Sequence, residues 1–332
     1  MKELINRLEQ AAQEKAFSGV ISIHQDTRTI FNRAFGYRDI QNKLPNLTST
    51  RFGIASGTKL FTALGIGKLI EQGKLSLETT IGELDRAYAP FIDPHATIRH
   101  LLTHTSGIHD YYDEEVDQDW DHFFVEIPWY RLETPSDYLP LFKNKPSKFQ
   151  PGARFSYSNG GYVFLGILIE ALTGRLYRDF IEEHILRPAR MQHSGFYALN
   201  DLPENTAHGY LKDRHTTNIY NIPLRGAGDG GMYTSADDLL SFWDRFMAYR
   251  ILSKELTEIY LGTHHRFNDV SGYGCGIYKR LDGSMYAIEG GDAGVGFDSR
   301  YLKQDKVTIS ILSNITDGEA AIRDVVKGFW GF

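Results

Sequence analysis

The chain has 332 residues, enough for one large domain or two closely packed ones, and its 42% hydrophobic and 23% charged residues are ordinary for a globular protein. A formal net charge of −6 disfavours nucleic acid or an anionic membrane surface as a partner. Cys275 is the only cysteine, which excludes an internal disulfide and a cysteine-based zinc site.

The opening segment, MKELINRLEQAAQEKAF, reads as a charged amphipathic helix and lacks the apolar core of a signal peptide. No run of about 18 apolar residues follows, so no membrane-spanning segment is expected. The expected location is the cytoplasm, or a secreted or periplasmic site if a leader has been removed. Next, GVISIHQDTRTIFNRAFGYRD places two apolar runs around QDTR, the pattern of a β-hairpin. IASGTKLF then opens a helix that is apolar nearly all round and stops at Gly73.

Residues 81–221 read mostly as helices and long loops. Tyr162 to Leu172 forms a buried helix closed by Gly174, and Tyr177 to Leu186 an amphipathic one ahead of Pro188. Ser235, with Asp238 three residues on, caps the helix ADDLLSFWDRFM. Strands return near the C-terminus. YGCGIYKR and MYAIE flank LDGS, GFDSRYL and KVTISILSN flank KQDK, and GEAAIRDVVKGFW is a final helix. The predicted fold is α+β, an α/β sandwich: one antiparallel sheet drawn from both termini and covered by helices. Residues 1–80 and 222–332 form the sheet part of this single domain, and 81–221 a helical insert. The glycine-rich GAGDGGM, 226–232, marks the return from insert to sheet.

A lysine inside the apolar helix that IASGTKLF opens needs a reason, because a buried lysine is costly unless paired or used. Ser56 and Lys59 are i and i+3, which puts their side chains on one helix face, roughly 5–6 Å apart at Cβ. The positive end of the helix dipole acts on the serine, and apolar neighbours favour the neutral lysine. Such a lysine can accept the serine's proton, which is the chemistry of an S-x-x-K nucleophile. In RFSYSNGGYVFLG, Tyr157 and Asn159 flank Ser158 just ahead of a buried helix. The tyrosine is a candidate base once a cation favours its phenolate, and the asparagine a donor to a substrate carbonyl.

Taken with TIRHLLTHTSGIHDY between them, these motifs resemble the serine β-lactamase and penicillin-binding-protein superfamily. The likeness is nearest to the class C β-lactamases and to the esterases and D-peptidases that share their fold. Further similarity runs through FQPGARFSYSNGGYVFLGILIE, HILRPARMQHSGF and GDGGMYTSADDLLSFW. The resemblance implies acyl transfer without a cofactor. Ser56 is the nucleophile, Lys59 and Tyr157 move protons, and Asn159 orients the acyl group. The backbone N–H of Ser56 forms half of an oxyanion hole. The E-x-x-L-N deacylation motif of class A enzymes is absent, which leaves deacylation to Tyr157.

The third motif of that superfamily, K-T-G or H-x-G before a Gly-Phe pair, is degenerate here. Counting back from Gly296-Phe297 places Gly290-Gly291-Asp292 or Gly291-Asp292-Ala293 in its stead. Ala293 or Gly294 then supplies the second oxyanion N–H, and Gly291 and Asp292 line the substrate. No lysine or histidine stands there, and Glu289 and Asp292 make the place acidic. That disfavours the carboxylate of a penicillin or a D-Ala-D-Ala terminus unless Arg225, His264, His265 or Arg300 compensates. The expected substrate is a small-molecule or peptide ester or amide, neutral or cationic. A D-Ala-D-Ala carboxypeptidase or β-lactamase, and a non-catalytic penicillin- or peptidoglycan-binding sensor, are the alternatives.

Other chemistries find less support. G-x-S-x-G and H-E-x-x-H are absent, and the twelve histidines show no metal spacing. His104 is expected to be structural. A calcium loop at Asp117, Asp119 and Asp121 fails, because His122 and Pro128 stand where the turn glycine and terminal glutamate belong. DYYDEEVDQDWDHF reads instead as a lid that presents Tyr111, Tyr112 and Trp120 at the mouth of the site. The oligomeric state is left open.

Overall fold

The computed structural model describes residues 1–117 and 119–332. Eight strands make one antiparallel sheet: β1 (Gly19–Gln25), β2 (Arg28–Phe35), β3 (His265–Arg266), β4 (Ser271–Tyr273), β5 (Tyr278–Arg280), β6 (Met285–Asp292), β7 (Val295–Leu302) and β8 (Val307–Ser313), in the order β2-β1-β8-β7-β6-β5-β4-β3. The N-terminal hairpin joins the C-terminal strands through β1 and β8, from Gly19 opposite Ser313 to Gln25 opposite Val307. This is the α+β architecture that the sequence pattern predicts. YGCGIYKR departs from expectation. It is broken after Tyr273, where the Cys275 N–H leaves the ladder for the Tyr260 carbonyl (3.0 Å) and Gly276 takes φ +77°.

Both faces of the sheet are covered, so β1 is buried along nearly its whole length. Alternate side chains face opposite ways. Ile21, Ile23, Ile309 and Ile311 pack under α1 (Lys2–Glu14) and the C-terminal helix Ala320–Trp330. The other face meets the larger core, built around α2 (Thr58–Glu71), α3 (Asn159–Thr173) and α4 (Ala236–Met247). There Trp243 Nε1 donates to Ser299 Oγ (2.9 Å), which satisfies the indole inside the core. Helix α3 ends at Gly174 in the left-handed conformation, and Ser235 Oγ caps α4 by accepting the Asp238 N–H. The helix from Tyr177 to Ile181 continues as a π turn, Glu182–Leu186. Among the described residues no helix is long and apolar enough to cross a membrane.

Candidate active site

Ser56 lies in a tight turn, Ala55–Gly57, that leads into α2, and Ala55 takes φ +43°, a strained value for a side chain. Strand β6 crosses this turn closely. A Cβ on Gly290 would lie 2.1 Å from the Ile54 carbonyl oxygen and 3.0 Å from the Ser56 and Gly57 nitrogens, so only glycine fits. Gly57 is packed in the same way against the Phe297 ring.

Lys59 is 2% exposed. Its Nζ donates to Ser56 Oγ, Asn159 Oδ1 and the Asp229 carbonyl, each at 2.8 Å, so all three donors of the ammonium are used. Burial pulls its pKa below the usual lysine value, against the opposing pull of Asp229, Glu114, Asp110 and Asp292. The Tyr157 ring lies 4.9 Å from Nζ. Burial holds the Tyr157 phenol well above its ordinary pKa, Tyr278 and Glu114 adding to the shift and a hydrogen bond with Ser56 opposing it. Burial thus opposes the phenolate that a base role for Tyr157 requires in the resting site.

The TIRHLLTHTSGIHDY segment is the cradle of the Tyr157 loop. His104 Nδ1 accepts the Ser158 N–H (3.0 Å), its Nε2 meets the Tyr273 hydroxyl (3.1 Å), and its ring lies 4.4 Å from that of Tyr157. Burial keeps this histidine neutral. Asp110 accepts the N–H groups of Asn159 (2.7 Å) and Gly160 (3.0 Å), which the first turn of α3 would otherwise leave unpaired. Asn159 Nδ2 donates to the Tyr112 carbonyl (3.0 Å) and to Glu114 (3.3 Å).

The second oxyanion donor needs correction. The Ala293 N–H donates to Asp292 Oδ1 (2.8 Å) and the Gly294 N–H to Thr316 Oγ1 (2.7 Å), so neither faces Ser56. These two residues form the turn of the β6–β7 hairpin, with Asp292 opposite Val295 and Gly290 opposite Phe297. Bonded and non-bonded pairs alternate along an antiparallel ladder. Counted from the closing pair, Gly291 therefore turns its N–H away from β7. On that side the pairing of β6 with β5 stops at Ala287, so the edge is open beside Ser56. Gly291 is the donor this geometry offers.

Two recesses meet at Ser56, Gly291 and Trp120. Tyr157, Tyr278, Glu114, Glu289 and Glu319 line one of them. Asn159, Asp229, Asp292, Tyr111, Tyr112 and Trp129 line the other. The acidic character expected from Glu289 and Asp292 extends to four residues missed in the sequence, Glu114, Asp229, Asp317 and Glu319. The Tyr111 hydroxyl donates to Asp229 Oδ2 (2.5 Å), and the Trp120 ring lies 4.7 Å from that of Tyr112. Arg300 is not an open cation, because it is bound to Asp298 (2.6 Å) and Glu289 (2.5 Å). His265 is stacked on Phe155 instead of lining either recess. The signal for Asp229 was the flanking glycine run: a Cβ on Gly228 would lie 2.1 Å from the Tyr162 carbonyl oxygen, so this loop presses against α3.

The sequence profile of the beta-lactamase family matches residues 5–326. Penicillin-binding protein 4* of Bacillus subtilis (strain 168) is 33% identical over 257 residues, which are 73% of this chain and 54% of that relative. A D-aminopeptidase of Brucella anthropi is 27% identical over 290 residues, 85% of this chain and 48% of the relative. The chain thus spans about half the length of these curated relatives. A penicillin binding protein from Bacillus halodurans, a solved structure, superposes with a TM-score of 0.91 at 36% identity and covers 97% of this chain and 99% of its own.

Proposed function

The chain belongs to the beta-lactamase family, and on that footing we propose that it is a serine acyl hydrolase forming an acyl-enzyme on Ser56 from an ester, amide or peptide. The observation that carries this reading is the direct 2.8 Å contact between Ser56 Oγ and a desolvated Lys59. In its neutral form Lys59 takes the serine proton while Oγ attacks the carbonyl carbon. The carbonyl electron pair moves onto oxygen, which the N–H groups of Ser56 and Gly291 receive. As the tetrahedral centre collapses, the neutral Tyr157 phenol protonates the leaving group, and Lys59 returns a proton to the phenolate. Water then enters by the same route in reverse, which releases the acid and restores Ser56.

Tyr157 lines only one of the two recesses, so the leaving group belongs there and the acyl group opposite. The leaving-group recess holds Glu114, Glu289 and Glu319, and its arginine, Arg323, is bound to Glu319 (2.9 Å). A leaving group that ends in a carboxylate meets repulsion there, which favours an uncharged or basic one. The penicillin-binding names of the relatives support a second reading, acylation by penicillin.

Intact-protein mass spectrometry after incubation with a fluorophosphonate and, separately, with a penicillin tests both readings. The expected result is one phosphonate adduct that is lost in Ser56→Ala, with little penicillin adduct. Stoichiometric, Ser56-dependent penicillin labelling favours the second reading. Absence of both adducts on the folded protein overturns both.

A further inference from the structure

The acyl recess contains two carboxylates, Asp229 and Asp292, and among the described residues its lining includes no lysine, arginine or histidine. Burial raises the proton affinity of the Asp292 carboxyl, and the Asp229 charge adds to the rise. Among the described residues, two side chains of the lining are buried without a hydrogen-bond partner: the Tyr112 hydroxyl and Trp129 Nε1, in residues 4% and 8% exposed. Buried donors are nearly always paired in a finished structure, so these point to a group that arrives with the ligand. The walls are aromatic, with Phe123 4.2 Å from the Tyr112 ring and Trp120 on its other contact, and such ring faces attract cations.

From these features we propose that the acyl recess is a subsite for an ammonium group, so that the preferred substrates are esters, amides or peptides whose acyl unit carries a free amine. An ammonium between Asp229 and Asp292 relieves the repulsion of the two carboxylates. The Tyr112 hydroxyl and the Trp129 indole N–H then serve an acceptor on the same acyl unit. This inference rests on the acyl-hydrolase reading of Ser56.

The test compares p-nitroanilides and thioesters of both enantiomers of alanine, each with a free or an N-acetylated amine. Labelling of Ser56 by fluorophosphonate runs in parallel on the same preparations. The free-amine member of at least one pair is expected to lead in kcat/KM by at least about tenfold. Asp292→Asn is expected to cut that ratio by about tenfold, while Asp292→Glu, which keeps the charge, retains most of it. If phosphonate labels Ser56 but the acetylated substrates are equal or better, the ammonium subsite is overturned and the hydrolase stands. If Asp292→Asn is labelled like wild type and its ratio is unchanged, the assignment of Asp292 is overturned. If wild type takes no phosphonate, the hydrolase reading fails and the subsite falls with it.

Discussion

At the scale of single residues, Lys59 shows what a buried cation needs. Its donors meet a hydroxyl, an amide oxygen and a backbone carbonyl, and the nearby carboxylates lie around this shell. His104 is the less obvious residue. It never touches Ser56 in the bonds described, yet it holds the Ser158 N–H and the Tyr157 ring. It also adopts φ +57°, a conformation that strains most side chains. His104→Phe keeps a flat ring but leaves the Ser158 N–H without its acceptor. The expected loss is about 1–3 kcal/mol of stability, read from the urea midpoint, with slower phosphonate labelling of Ser56. An unchanged midpoint and labelling rate exclude this positioning role.

At the scale of elements, the site exists because β6 crosses the Ser56 turn at contact distance. The crossing depends on one missing side chain. Gly290→Ala drives a methyl group into the backbone of Ile54, with no flexible side chain to give way. It is expected to cost about 1–3 kcal/mol or more and to abolish labelling of Ser56. The adjacent Gly291 is the internal contrast: a Cβ there first meets Trp120, at 3.8 Å. Gly291→Ala should alter stability by less than about 1 kcal/mol. Equal thermal midpoints for the two variants refute the close-crossing account.

At the scale of the whole molecule, burial pushes the carboxyls of Asp110, Asp292 and Glu319 up to about 7. Their ordinary values are 3.8, 3.8 and 4.5. Between those values and about 7 the folded chain holds protons that the unfolded chain has released. These groups therefore lower stability as pH rises through that window. The denaturant midpoint should accordingly climb when pH falls from about 8 to about 5, and substituting Asn at Asp292 should flatten the climb. A midpoint that drops over this range shows that other groups dominate. The functional side of the same fact is an acidic cleft in a protein whose net charge is only −6. The acids are gathered at the site from four separate stretches of chain, and a cationic substrate profits from them.

Local chemistry made part of this protein readable from its sequence. The period-two runs and their turns marked the sheet. The S-x-x-K spacing placed Ser56 and Lys59 on one face because helix geometry is set within a single turn. Tyr157 and Asn159 stood out because their loop directly precedes a buried helix. What lies around those four residues depends on segments distant in the chain. Asp110 and His104 meet the Tyr157 loop through hydrogen bonds to backbone N–H groups, which any residue type can offer. Asp229 reaches Lys59 through its carbonyl, and that contact leaves no trace in side-chain identity. The second oxyanion donor was misplaced at Ala293 or Gly294 for a related reason. Which N–H faces Ser56 is decided by the register of β6 on β7 and by where its pairing with β5 stops. A count along the sequence carries neither, and only the folded sheet fixes both.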